Sequence, residues 1–235
     1  MIPRFAIAFH FVAALAAVAS CDSTSSPKAI DATPVVPDSP PAADAPVVPD
    51  ATPSSGLSFF LTSANPGNGA NLGGLAGADA YCRTLAEAAG VTGKTWKAYL
   101  SASTENARDR IGTGPWKNAL GVVVATSVAN LHSASNQLSK ANSVDETGAV
   151  VKGAGDTPNR HDIMTGSNEA GILQGTACSD WTSAGAGSTM VGHHDRQGGG
   201  AAPTSWNAAH ASSGCSLANL RGTGGDGLFY CFATN

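Results

Sequence analysis

The chain has 235 residues, of which 42% are hydrophobic and 13% are charged, and its formal net charge is −4. Residues 1–56 hold nine of the 13 prolines and one of the 28 glycines, so the proline-rich and glycine-rich parts are separate. Residues 57–235 are nearly neutral, with 11 Lys and Arg against 12 Asp and Glu. This composition excludes a polytopic membrane protein and a basic nucleic-acid binder, and it leaves room for one domain with a core.

The first 20 residues are predicted to be a signal peptide. Arg4 gives a positive start, and Phe5–Val18 is an apolar stretch that is shorter than the about 20 residues of a membrane span. The segment ends in Val18-Ala-Ser-Cys21, which resembles a bacterial lipobox, in which the cysteine is acylated and becomes the N-terminus. Lipid at Cys21 would anchor the protein to a membrane. The alternative is an ordinary signal peptide with a chance cysteine.

The residue after this cysteine bears on the location in the cell envelope. Asp22 resembles an inner-membrane retention signal of enteric-type sorting, a rule that varies between bacteria. An exported lipoprotein on the outer membrane or the cell surface is favoured, and the inner membrane stays open.

Residues 21–56 are predicted to be a disordered linker. Eight prolines lie among residues 22–56, together with Asp, Ala, Ser and Thr, and this composition cannot bury a core. Proline-rich chain favours extended polyproline II at about 3.1 Å per residue, so the linker could reach roughly 100 Å.

The remaining residues 57–235 are predicted to form one α+β domain. A stripe of apolar residues at three- and four-residue steps marks one main helix that ends at Gly90; the stripe is Leu75, Ala78, Cys82, Leu85, Ala86 and Ala89. Strands are predicted at Leu57–Thr62, Trp96–Ser101, Leu120–Ala125 and Leu228–Phe232, with a helical turn at Arg108–Ile111. The chain from about 126 to 227 is predicted to be mostly loop, with short strands near 147–152, 188–192 and 203–207.

Four cysteines remain once Cys21 carries lipid: Cys82, Cys178, Cys215 and Cys231. An even number in an exported domain indicates two disulfides, for which three connectivities are possible. No C-x-x-C pair is present, which argues against a zinc site built on cysteines.

The order of these motifs resembles the C-type lectin-like fold. A first strand, a helix with Cys82, Trp96-Lys-Ala-Tyr-Leu-Ser101, a long irregular region and a last strand with Cys231 follow one another. The resemblance is closest to bacterial endostatin-like domains on outer-surface lipoproteins. It implies the pairs Cys82–Cys231 and Cys178–Cys215. Because such relatives act largely as binding surfaces, it also implies a non-enzymatic module that binds a protein or glycan outside the cell.

Calcium-dependent sugar binding in this fold needs carboxylates that this chain lacks. The nearest triplets are Thr157-Pro-Asn159 and Trp206-Asn-Ala208, and calcium prefers six to eight oxygen ligands. Ligand binding is therefore expected without calcium.

His193-His194-Asp195 is the most metal-like sequence. Adjacent side chains of a strand point to opposite faces, so a metal at His193 or His194 would need outside ligands such as His161 or His210. A solvated polar loop is favoured, and no cofactor or metal is predicted.

No motif predicts catalysis. Gly222-Thr-Gly-Gly-Asp-Gly227 matches a dinucleotide-binding pattern but precedes a strand, so it is interpreted as a turn. The alternatives to a binding module are a structural component of the envelope and, within the same architecture, an enzyme of the formylglycine-generating type, which uses metal-binding or reactive cysteines.

The resemblance also places the binding face. In this fold the long middle loops lie opposite the chain termini, and here they comprise Asn159–Asn168, His193–Gly200 and Ser205–Ala211. Because binding energy concentrates in aromatic and Arg anchors, Trp206 and Arg196 are the main candidates, with His193 and His194 beside them.

Overall fold

A computed structural model describes residues 56–235 of the chain. The predicted signal peptide, Cys21 and the linker up to residue 55 lie outside the described residues. The helices and strands are β1 (Phe59–Leu61), α1 (Gly74–Ala88), β2 (Trp96–Ala98), α2 (Ala107–Arg110), β3 (Trp116–Lys117), β4 (Val123–Ala125), α3 (Val128–Leu131), β5 (Asp162–Met164), α4 (Ala177–Trp181), β6 (Met190–His193), β7 (His210–Ala211), α5 (Leu217–Gly222) and β8 (Gly225–Ala233). Within residues 56–235, no helix is long and apolar enough to cross a membrane.

The last strand, β8, organises the domain. It pairs antiparallel with β1 and β2 and parallel with β5, and β5 continues through β6 to the edge strand β7. All nine residues of β8 are buried. A strand covered on both faces is expected to be a continuous apolar run, as Leu228–Phe232 is.

The two faces of β8 belong to two cores. Phe229 and Cys231 point into a core that includes α1 and Trp181, whereas Tyr230 and Phe232 point into an aromatic core. This alternation follows from the two-residue period of a strand. The aromatic core also contains Phe59, Tyr99, Trp116 and Trp206.

Both disulfides implied by the resemblance are present. Cys82 of α1 is bonded to Cys231 of β8 across 149 residues, and Cys178 is bonded to Cys215 across 37 residues. By restricting the unfolded chain, such cross-links contribute at most about 5 and about 4 kcal/mol. The first ties the main helix to the central strand, and the second closes part of the loop-rich region.

The predicted helix is confirmed, while several strands differ from their predictions. The apolar stripe of α1 buries Ala78, Cys82 and Ala86. The strand predicted at Leu120–Ala125 begins only at Val123, and the side chain of Leu120 is 53% exposed in the turn before it. No strand forms at 203–207, which is a loop, or at 147–152, where Val150 makes only an isolated bridge to Val144.

The sequence missed β3, β5, β7 and three of the five helical segments. Each missed element has six or fewer residues, too few to show a period. One of them, α4, is a left-handed turn whose residues all have φ between 43° and 67°. L-residues adopt this conformation only when tertiary contacts hold them there, which no local pattern predicts.

Candidate functional site: a histidine and aspartate cluster

Three distant segments place four polar side chains at the edge of the sheet where β8 begins. Asp162 starts β5 and pairs with Gly225 of β8 on one side and with His193, the last residue of β6, on the other. On the far side of β6, Val191 pairs with His210 of β7. His161 directly precedes β5. The segments are those expected to form the binding face, and the structure brings them together.

The four side chains converge on one carboxylate oxygen. Oδ1 of Asp162 lies 3.2 Å from Nε2 of His161, 3.2 Å from Nε2 of His193 and 3.4 Å from Nε2 of His210. The rings of His161 and His193 stack with centroids 4.3 Å apart. We call Asp162, His161, His193 and His210 the His–Asp cluster.

The opposite nitrogen of each ring faces an acceptor. Nδ1 of His193 lies 2.8 Å from the carbonyl oxygen of Pro203, and Nδ1 of His210 lies 3.0 Å from the carbonyl oxygen of Ala211. Nδ1 of His161 lies 3.5 Å from Oδ1 of Asp195 without a hydrogen bond. Since the two carbonyl oxygens can only accept, they favour the tautomer of His193 and His210 with the proton on Nδ1, which leaves Nε2 with a lone pair.

The cluster is buried and its central atoms are not hydrogen-bonded. The side chains of Asp162 and His193 are 1% and 0% exposed, and those of His161 and His210 are 7% and 23% exposed. Among the described residues, the two carboxylate oxygens of Asp162 and Nε2 of His193 have no hydrogen-bond partner. Unsatisfied polar atoms at this depth are costly and need an explanation.

The protonation of His193 responds to opposing effects. Burial lowers the pKa of His193, but the carboxylate of Asp162 and the carbonyl of Pro203 outweigh it, so the pKa is raised above its usual value. The negative charge of Asp162 therefore favours a cation beside Nε2 of His193, and a proton is one such cation.

His194 and Asp195 are directed to other partners. His194 is fully buried, but its Nε2 lies 3.1 Å from the carbonyl oxygen of Lys152, outside the cluster, and burial lowers its pKa. Asp195 accepts from the backbone N–H groups of Ala154 and Gln197. The expectation of a solvated polar loop at His193 and His194 is therefore wrong, because both rings are 0% exposed.

Glycines give the rings their space. A Cβ at Gly198 would lie 2.6 Å from Cε1 of His161, and a Cβ at Gly224 would lie 2.9 Å from Nε2 of the same ring. A Cβ at Gly200 would lie 2.9 Å from Cδ2 of His210. All three glycines have φ between +99° and +114°, which side chains rarely adopt. The backbone of residues 198–200, the glycine-rich loop, and of the turn at Gly224 thus packs directly on the cluster.

The two predicted anchors are less accessible than expected. Trp206 is 4% exposed, and its ring lies 4.8 Å from that of Tyr99 and 5.3 Å from that of Tyr230. It is a core residue. The guanidinium of Arg196 donates to the carbonyl oxygens of Leu138 and Thr204 at 2.7 and 3.1 Å, so it holds the loop rather than standing free.

Arg196 and Trp206 nevertheless line one side of a cleft of about 300 Å³, together with His132, Glu169, Ser205 and Asn207. The cleft is polar at its rim and has the aromatic core beneath it. It lies on the same face as the glycine-rich loop.

The composition of the His–Asp cluster suits a metal ion. Potential ligand atoms of His161, Asp162 and His193 all lie within 4.8 Å of one another, and imidazole nitrogen with carboxylate oxygen is a common ligand set for zinc. Sequence reasoning named His161, His193 and His210 but missed Asp162. The available signal was that Asp162 is adjacent to His161. This adjacency alone does not predict a metal site, because His193 and His210 approach Asp162 only in the folded chain.

Comparison with protein-family models finds none that matches this chain, and no curated protein matches it either.

Proposed function

We propose that this protein is an exported, lipid-anchored binding module of the bacterial cell envelope. Its C-type lectin-like, endostatin-like domain would bind a protein or glycan outside the cytoplasm without calcium, on the face formed by residues 159–168, 193–200 and 205–211. The observation that carries the proposal is the position of this face at the end of β8 remote from the point where the linker joins the domain.

The pairing of β8 defines these two ends. Its first residue, Gly225, lies beside Asp162, whereas Phe232 near its other end lies beside Phe59 of β1. At about 3.3 Å per residue, a nine-residue strand separates its ends by roughly 25 Å. The linker joins the domain at Gly56, three residues before β1. An anchor at Cys21 would therefore leave the proposed face free for a ligand.

The disulfides support an extracytoplasmic domain of this architecture. Two disulfides are typical of proteins that fold in an oxidising compartment, and their pairing is the one that the C-type lectin-like resemblance implies. They also weaken the enzyme alternative. A formylglycine-generating type of enzyme needs free or metal-bound cysteines, and all four cysteines of residues 56–235 are bonded to each other.

The proposal of calcium-free binding rests on how the amide of Asn207 is used. Its Nδ2 lies 3.0 Å from Oη of Tyr99, 3.0 Å from the carbonyl oxygen of Asn168 and 3.2 Å from that of Glu169. Its Oδ1, the atom that would bind calcium, accepts from Oγ of Ser205 at 3.2 Å, so both ends of the amide have partners inside the domain. The triplet Trp206-Asn-Ala208 has no carboxylate next to Asn207, so it is a poor match for the oxygen-rich shell that calcium requires.

The test is an array of glycans and extracellular matrix proteins probed with the purified full chain. Thr204 is exposed and also lines the cleft that contains Arg196 and Trp206. Thr204→Arg places a charge there and should abolish binding. Leu120→Arg is the control, because Leu120 is also exposed but lies in the β3–β4 turn, close to the strand end where the linker joins. Binding lost in the control and retained in Thr204→Arg would contradict the proposed face. Binding that requires calcium would contradict the proposed mode.

A further inference from the structure

We propose that the His–Asp cluster is a zinc site, in which Nε2 of His161, His193 and His210 and a carboxylate oxygen of Asp162 bind one Zn²⁺ ion. This inference adds a metal to the proposed binding face, but it does not depend on the lipid anchor or on a protein or glycan ligand.

The spacing of the four atoms fits tetrahedral zinc. With Zn–N and Zn–O bonds of about 2.0 to 2.2 Å, two ligand atoms of a tetrahedral site lie about 3.3 to 3.5 Å apart. The three distances from Oδ1 of Asp162 to the imidazole nitrogens are 3.2, 3.2 and 3.4 Å. These three distances match those between ligands of a bound ion, and the ligand atoms of His161, Asp162 and His193 all lie within 4.8 Å of one another. His210 reaches the group through its contact with Asp162.

The orientation of the side chains supports an ion rather than hydrogen bonds. Although Nε2 of His193 lies 3.2 Å from Oδ1 of Asp162, the two atoms lack the alignment of a hydrogen bond, and both remain unpartnered. In a metal site the lone pairs of the ligands point at a common centre and not at one another, so contacts of this length without N–H···O alignment are expected.

The outer partners hold the rings in the form that binds metal. Ligating histidines usually donate their second N–H to a carboxylate or a backbone carbonyl, which fixes the tautomer and the ring orientation. Here Pro203 and Ala211 supply carbonyl oxygens for His193 and His210, while the carboxylate of Asp195 lies 3.5 Å from Nδ1 of His161 without a hydrogen bond. Without a cation, the lone pairs of His193 and His210 would face a carboxylate in a buried site, which is electrostatically unfavourable.

The ligand types select the metal. Three imidazoles and one carboxylate do not suit calcium or magnesium, which prefer shells of oxygen. Zinc accepts nitrogen and oxygen ligands in tetrahedral geometry, whereas copper(II) and nickel(II) prefer tetragonal arrangements. Four protein ligands fill the coordination shell, as in structural zinc sites. The ion would cross-link β5, β6 and the edge strand β7.

The experiment measures zinc binding by the full chain, purified in detergent, stripped with chelator and dialysed. Titration against a chromophoric chelator at pH 7.5 should give one zinc per chain, with no competition from millimolar calcium or magnesium. Cobalt(II) should give the intense visible absorption of a tetrahedral site, and zinc should remove it.

Matched variants assign the ligands. Because changing an outer partner already costs 10- to 100-fold in affinity, His193→Gln, which removes a ligand, should weaken zinc binding by at least about 100-fold. His194→Gln, which alters the adjacent and equally buried ring, should bind as the unchanged chain does. If His193→Gln does not fold, His210→Gln tests the same point, because His210 is the most exposed ligand and lies at the sheet edge.

Three results would overturn the zinc site: no zinc bound by the folded, stripped chain; equal loss of affinity in His193→Gln and His194→Gln; or displacement of zinc by calcium. The binding-face proposal is tested separately by the array, so zinc binding without any array signal would contradict that proposal and leave the metal site standing.

Discussion

Asp162 and His193 face each other across the β5–β6 pair, with Oδ1 of the aspartate 3.2 Å from Nε2 of the histidine and no hydrogen bond between them. Neither side chain is exposed by more than 1%. A sheet holds this pair at fixed spacing, because directly opposed residues of an antiparallel pair have a set separation. The histidines on either side complete the cluster on which the first prediction rests.

Zinc should protect the chain from trypsin at Arg196. This residue is the single Lys or Arg between Arg160 and Arg221, and it lies in the loop between two proposed ligands, His193 and His210. A metal that joins these ligands reduces local opening, which proteolysis requires. Mass spectrometry measures the rate of cleavage after Arg196, and this rate should be several-fold lower with zinc than with chelator.

Cleavage after Lys117 is the internal control for this experiment. Lys117 is exposed on β3, which lies towards the linker end of the domain, so its cleavage rate should not respond to zinc. Equal protection at both positions would indicate a global effect on the protein, and no protection at Arg196 would contradict a metal-bridged loop.

Gly198→Ala should weaken both the fold and zinc binding. The new Cβ would lie 2.6 Å from Cε1 of His161, and the backbone has φ +114°, so we expect a loss of about 1 to 3 kcal/mol in the free energy of unfolding. Gly199→Ala is the control, since a Cβ there meets no atom within 4 Å. Chemical denaturation compares the two variants, and equal stability would show that the loop does not rest on the ring.

The effect of Glu146→Gln on thermal stability should become more favourable as the pH rises. Burial raises the pKa of Glu146 above its usual 4.5, although Ser63 donates to its carboxylate. A carboxyl with a raised pKa in the folded state stabilises the protein below its usual pKa, and this contribution is lost as the pH rises through the folded-state pKa. The difference in Tm, variant minus unchanged chain, should therefore increase between pH 4 and pH 8.

Thermal unfolding with chelator present measures this difference without a contribution from metal. Glu169→Gln, which changes an exposed carboxylate, should give a difference that varies little over the same range. A constant difference for Glu146→Gln would contradict the effect of burial.

Cys21→Ser should release the protein from membranes or leave its signal peptide uncleaved. The lipobox resemblance predicts acylation at Cys21, and durable anchoring requires such lipid. Detergent partitioning and membrane fractionation should place the unchanged chain with membranes. A Cys21→Ser chain that remains in the membrane fraction, with a mature N-terminus elsewhere than residue 21, would show that the lipobox interpretation is wrong.

The sequence by itself determined the elements whose signals are local. The apolar stripe of α1 repeats over four turns, and Leu228–Phe232 is apolar without interruption because β8 is buried on both faces. The cysteine count predicted two disulfides, although their pairing came from the resemblance and not from the residues alone. Such signals suffice for prediction because the period or composition of each element can be seen in a short stretch of sequence.

Tertiary structure decided which polar residues meet. His193 and His194 are equivalent in the sequence, yet the end of β6 directs one ring to Asp162 and the other to Lys152. Trp206 is of a residue type typical of binding anchors, but its ring packs on those of Tyr99 and Tyr230. These outcomes depend on contacts between segments that lie from 24 residues apart (Trp206 and Tyr230) to 107 residues apart (Tyr99 and Trp206). Those contacts are set by the burial of β8 and its neighbours, and no short stretch of sequence contains them.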